Sequence, residues 1–88
     1  MTKKEGQESM KKEELDVGQK VKAKFRKYGV HMIIGVVNEI CTDEHALEGT
    51  WIGLKVTGGN MNDPHVQWMV NNKVGCLVPL KDVVEVLQ

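Results

Sequence analysis

Cys41, His45, His65 and Cys76 are of the types that bind metals or attack carbonyl groups. Their spacing is Cys-x3-His, followed by a distant His and a distant Cys. Structural zinc sites are built from closely spaced ligand pairs, so this pattern matches none of the common ones. The four residues read instead as separate core thiols and surface imidazoles. A Cys41–His45 dyad lacks a third group to orient the imidazole and lacks an oxyanion hole. Ser9 is the only serine, so no Gly-x-Ser-x-Gly nucleophile turn exists. Gly58-Gly59-Asn60 has neither the lysine nor the spacing of a phosphate-binding loop. The expectation is a chain with no enzymatic activity, cofactor or metal, whose chemistry is recognition at a surface.

Two features point to where recognition takes place. In Lys20-Val21-Lys22-Ala23-Lys24-Phe25-Arg26 every second residue is basic and those between are apolar. A strand sends successive side chains to opposite faces. Val21, Ala23 and Phe25 therefore enter a core, and Lys20, Lys22, Lys24 and Arg26 form one cationic row, spaced about 6–7 Å apart. That spacing suits the phosphates of a nucleic-acid strand, and it also suits an acidic peptide. Edge protection and plain solvation of an outer face are the structural alternatives.

The second feature is Trp51. Ile52, Leu54 and Val56 alternate with Trp51, Gly53 and Lys55, so a buried first set turns Trp51 outward over Gly53. An aromatic beside a glycine is a docking surface for a peptide backbone or a base; partial burial under a neighbouring loop is the alternative. Val66, Trp68 and Val70 share one face of a predicted strand, which places Trp68 in the core. Tyr28 and Trp51 are then the outward aromatics, too few for a stacking platform along a single strand of nucleic acid.

The elements that carry these residues are short strands. They are predicted over 18–27, 31–41, 50–56, 65–70, 73–78 and 83–87. Gly35 marks a bend or bulge, and Asn71-Asn72 marks a tight hairpin turn. Thr42 caps one helical turn over 43–47. Gly58-Gly59-Asn60-Met61-Asn62-Asp63-Pro64 forms a loop, and Pro79-Leu80-Lys81-Asp82 forms a turn. Five or six short antiparallel strands without a long helix indicate an all-β fold, a small barrel or a two-layer sheet. Closure is favoured because an open sheet this small leaves long edges unpaired.

The totals agree with a single small domain. The chain has 88 residues, with 12 Lys plus Arg balanced by 12 Asp plus Glu. A neutral chain lacks the bulk attraction to nucleic acid that a basic domain has, although a local row still shapes the field. Residues 1–15 are dominated by Lys and Glu and read as a disordered tail, with the β-domain over 16–88. Two cysteines are too few for a disulfide scaffold. No apolar run follows the N-terminal Met-Thr-Lys-Lys-Glu, and none approaches the ~20 residues that span a bilayer. The expectation is cytoplasmic residence with no membrane partner.

Val17-Gly18-Gln19-Lys20-Val21, Ile34-Gly35-Val36-Val37-Asn38-Glu39-Ile40 and Gly75-Cys76-Leu77-Val78-Pro79-Leu80-Lys81-Asp82-Val83 resemble the opening, second and closing strands of SH3-like barrels, including the KOW and Tudor types. Gly49-Thr50-Trp51-Ile52-Gly53-Leu54-Lys55-Val56 is similar to the aromatic-x-glycine strand of CAP-Gly domains, over a barrel spanning about Val17–Leu87. The CAP-Gly resemblance implies binding of acidic, aromatic-ended protein tails. The family's Gly-Lys-Asn-Asp-Gly run is absent, and the corresponding loop, Gly58 to Asp63, has no lysine. Together these readings indicate an SH3-like module that binds a peptide or acidic protein surface. Its contact residues are Lys20, Lys22, Lys24, Arg26, Trp51, Gly53, Asn60 and Met61. The alternatives are a KOW- or Tudor-like barrel on nucleic acid, and a structural subunit that docks through a face of His65, Gln67 and Met69 beside Val74 and Cys76.

Overall fold

The computed structural model describes residues 15–42 and 49–87. The expected tail over 1–15 lies outside the described residues except for Leu15, which is buried in the core. The helical turn expected over 43–47 lies outside them as well. Five strands form one antiparallel sheet: β1 (Lys20–Arg26), β2 (Val30–Thr42), β3 (Thr50–Gly59), β4 (Gly75–Pro79) and β5 (Val83–Val86). A helix, α1 (Pro64–Asn71), connects β3 to β4, and a 3₁₀ turn (Leu80–Asp82) connects β4 to β5. The strand order is β4-β3-β2-β1-β5, and the domain is all-β as expected.

The alternation in β1 has the predicted facing. Val21 and Ala23 have no exposure, and Phe25 is half-buried behind them. Their core neighbours include Ile33 and Val37 from β2, Ile52, Leu54 and Val56 from β3, and Val78 and Val83 from the last two strands. Strand β2 is long enough to pair with both β1 and β3, and the register shifts at Ile34/Gly35 let it bend between them. Gly35 is required at that point. A Cβ there would lie 2.7 Å from the Lys55 carbonyl oxygen, a contact that backbone cannot relieve.

The sheet is not closed, contrary to the expectation from edge pairing. Strands β4 and β5 are its two edges. β5 has four residues, and its ladder with β1 runs from Val21↔Val86 to Ala23↔Val83. The remaining end of β1, Lys24–Arg26, keeps only its β2 partners. β1 and β4 approach to within 8 Å between Cα atoms without sharing a ladder. The short last strand thus leaves a seam along the sheet.

The expected fourth strand over 65–70 is a helix. Its start has a local cause: Pro64 occupies the first turn, and the Asp63 side chain accepts a hydrogen bond from the His65 backbone N–H at 2.9 Å. Proline suits this position because its missing N–H needs no partner there, and Asp is among the preferred caps. Helical geometry regroups the apolar residues. Val66 and Met69, three apart, are buried, and Val70 packs beside them. Trp68 points outward and is 57 % exposed, so its expected core position is overturned. Asn71-Asn72 ends the helix instead of turning a hairpin. The Asn72 backbone N–H and side-chain amide both donate to the Trp68 carbonyl oxygen, and Lys73 follows with φ 53°. The docking face imagined over His65, Gln67 and Met69 is lost with the strand, because Met69 is 1 % exposed. Among the described residues, no helix is long and apolar enough to cross a membrane.

Candidate functional site

The open seam forms a groove of about 250 Å³ lined by Lys24, Phe25 and Arg26 of β1, Trp51 of β3, Leu77–Pro79 of β4, and Lys81 and Asp82 of the 3₁₀ turn. Each side reaches the groove for a local reason. Beyond Ala23, β1 has no ladder partner on its β5 side, so its end borders the groove. Trp51 pairs with Cys41 on one side and Pro79 on the other, which places it at the same end of the sheet as the β4–turn junction. The turn then carries Asp82 inward. The Asp82 side chain is 7 % exposed and that of Arg26 is 55 % exposed. Arg26 Nε donates to both carboxylate oxygens, at 3.2 and 3.3 Å. A carboxylate removed from water needs such a partner, because desolvation otherwise penalises its charge.

Three of the residues expected to bind, Lys24, Arg26 and Trp51, therefore share one groove. Lys22 and Asn60 meet elsewhere, in a groove of about 320 Å³ with Met32, Ile34 and Gly59. Lys22 also faces Glu85 across the β1–β5 pair, which offsets part of the cationic row. Lys20 is half-buried opposite Val36, farther along β1. Gly53 floors a third depression of about 410 Å³, between Asn38 and Glu39 on one side and Leu77 on the other. A Cβ on Gly53 would lie 2.8 Å from Asn38 Oδ1 and 3.1 Å from Glu39 Cβ, so this glycine admits the neighbouring side chains. Met61 lies in the loop before α1, exposed, and lines none of these three depressions. Trp51 itself is half-buried, neither fully outward nor core. The exposed aromatics are Tyr28 and Trp68.

Leu77, Pro79, Lys81 and Asp82 are groove residues that sequence reasoning missed. The Pro79-Leu80-Lys81-Asp82 segment is legible as a turn, but nothing local shows that it folds back against β1.

A second polar cluster also escaped the sequence reading. His31 Nδ1 lies 2.6 Å from Asp63 Oδ2, and its Nε2 lies 2.9 Å from the Lys27 carbonyl oxygen. Its ring stacks on His65 with centroids 4.4 Å apart, and the Phe25 ring lies beside both. Both acceptors lack protons, so the imidazolium form satisfies both contacts at once. The Asp63 hydrogen bond, then the Lys27 carbonyl, hold the His31 pKa above 6.5 against the opposing effect of burial. The same bond from His31 is the main cause that lowers the Asp63 pKa.

The thiols are poorly suited to attack. Burial pushes Cys76 up to about 11, and the hydrogen bond to Glu39 raises Cys41, so both carry their protons at neutral pH. Both are free cysteines. His45 lies outside the described residues. Among the described residues, no group of three or more His, Cys, Asp or Glu side chains is placed to hold a metal ion. No protein-family model, curated protein or solved structure matches the chain.

Proposed function

We propose that this chain is a non-enzymatic, SH3-like interaction module of the cytoplasm that docks a peptide or acidic protein surface in the seam groove. One observation carries the reading. The fold brings Trp51 together with Lys24 and Arg26, residues far apart in sequence, at the place where the sheet fails to close. Three cations and one buried carboxylate give that groove a positive rim in a chain of zero net charge. Leu77 is exposed there and supplies apolar contact beside the indole. An apolar surface with a few placed polar groups is the usual composition of a recognition site. The four-strand meander β1–β4, with a 3₁₀ turn that carries the last strand back beside β1, supports the SH3-like part of the reading.

The test is a titration of the ¹⁵N-labelled chain with a panel of acidic peptides, with and without aromatic residues. Binding shifts the Trp51 indole and the Lys24–Arg26 amides, and Trp51→Ala abolishes it while the fold survives. Unfolding of Trp51→Ala, or peptide shifts confined to other surfaces, overturns the reading.

Nucleic-acid binding is the second reading, and Lys20, Lys22 and Lys24 on one face of β1 favour it. It requires oligonucleotide shifts along that row and an affinity that falls steeply with salt.

A further inference from the structure

We infer that Arg26 is the residue that gives the seam groove its preference for a partner carboxylate, and that buried Asp82 is a positioning residue that holds Arg26 in place to do so. The inference rests on the docking reading above and names the chemistry of its partner: a peptide that presents an Asp or Glu side chain beside an apolar one.

The geometry separates the two ends of the guanidinium. Both hydrogen bonds to Asp82 use Nε, so the pair of terminal amino groups is not spent on that carboxylate. A guanidinium is planar and rigid, so fixing Nε fixes the direction of the terminal pair. That pair is the half of the fork that meets a carboxylate with two parallel N–H···O bonds. Asp82 is nearly sealed from solvent while Arg26 is more than half exposed, so the anchor lies inside and the donors lie at the rim. Asp82 neutralises the guanidinium locally, and the attraction that brings a second anion close comes from Lys24 on the same rim. Trp51, Pro79 and Leu77 complete the site with apolar surface for the neighbouring side chain. Lysine supplies charge at such a rim but no fork, so Arg26 and Lys24 have different tasks.

The test compares two sets of terminally blocked heptapeptides, one with Glu-Leu-Glu at its centre and one with Gln-Leu-Gln. Blocking the ends removes any contribution from a terminal carboxylate. The wild-type chain prefers the Glu set. Arg26→Lys keeps a cation beside Asp82 and loses the fork, so the preference falls about tenfold, the scale of one charge-assisted pair. Trp51→Ala abolishes binding of both sets alike. Should Arg26→Lys fail to fold, the double variant Arg26→Gln with Asp82→Asn replaces the ion pair by an amide pair and is measured instead. Asp82→Asn alone retains Arg26 but loosens its anchor, and it lowers the preference partway; restoring Asp82 restores it.

An undiminished preference in Arg26→Lys, or in the double variant that replaces it, overturns the inference and leaves docking intact. An absence of any Trp51 shift with either set overturns the docking reading itself. A preference for a single-stranded oligonucleotide over both sets overturns both.

Discussion

Two neighbouring regions of the sheet, which share Phe25, are finished in different ways. At one, helix α1 packs Val66 and Met69 onto the core, and Asp63, His31 and the Lys27 carbonyl satisfy one another beside the Phe25 ring. At the other, β5 stops short, β1 and β4 do not pair, and the gap is bordered by Lys24, Arg26, Trp51 and Leu77. The Arg26–Asp82 ion pair there joins an exposed guanidinium to a buried carboxylate. The contrast separates polar groups closed on one another from one that is anchored on a single side. Polar groups whose partners are all internal hold the fold together, whereas a polar group held on one side only has donors left for a partner. Phe25 belongs to both regions, since it touches the histidine pair and also lines the groove.

The sharpest way to break this comparison is at α1. Met69→Ala removes a buried side chain at the helix–sheet contact and costs about 2–5 kcal/mol in denaturant unfolding. A cost below 1 kcal/mol on the scale of a surface change would mean that the helix does not seal that region. At the seam, Arg26→Met leaves the Asp82 carboxylate without its cation. Water reaches the exposed guanidinium, so the loss is about 1–2 kcal/mol, less than for a fully buried pair. An unchanged midpoint would show that Asp82 finds its satisfaction elsewhere.

The histidine link predicts a pH window. The folded His31 pKa is raised, so its contribution to stability is complete below 6.5 and is lost as pH rises through the raised value. The folded Asp63 pKa is lowered, so its contribution is complete above 3.8 and is lost as pH falls through the lowered value. The two describe one interaction, which stands between those limits. In a ring-proton NMR titration His31 therefore titrates above 6.5, and Asp63→Asn moves it down. An unmoved His31 in that variant would remove Asp63 as the cause. The smallest effect belongs to Trp68→Ala, which changes stability by no more than about 0.5 kcal/mol because the indole faces solvent. A loss of several kcal/mol there would restore the strand reading of 65–70.

The difference in legibility follows the same division. β1 was readable because one period accounts for seven consecutive residues, and no helical pattern places Val21, Ala23 and Phe25 together. The segment after Asp63 carries two periods at once. Val66, Trp68 and Val70 fit a strand, and Val66, Met69 and Val70 fit a helix. The Asp63-Pro64 pair decides between them, because a cap and a first-turn proline start a helix whatever the alternation suggests. Choosing the strand period made Trp68 core and Met69 exposed, and the helix reverses both. The candidate site was legible in part. Lys24 and Arg26 were identified by type and facing and Trp51 by type, but their meeting was not, and Gly53, Lys22, Asn60 and Met61 went to other surfaces.

The sequence by itself determined an all-β domain, the inward face of β1, the bend at Gly35 and the cationic row. These depend on neighbours two to four residues away, and local sterics and side-chain period settle them. The tertiary structure alone decided that the sheet stays open, that Asp82 folds under Arg26, and that Trp51 joins them. Those outcomes depend on strand lengths and registers across the whole sheet, where residues 56 positions apart, such as Arg26 and Asp82, come into contact.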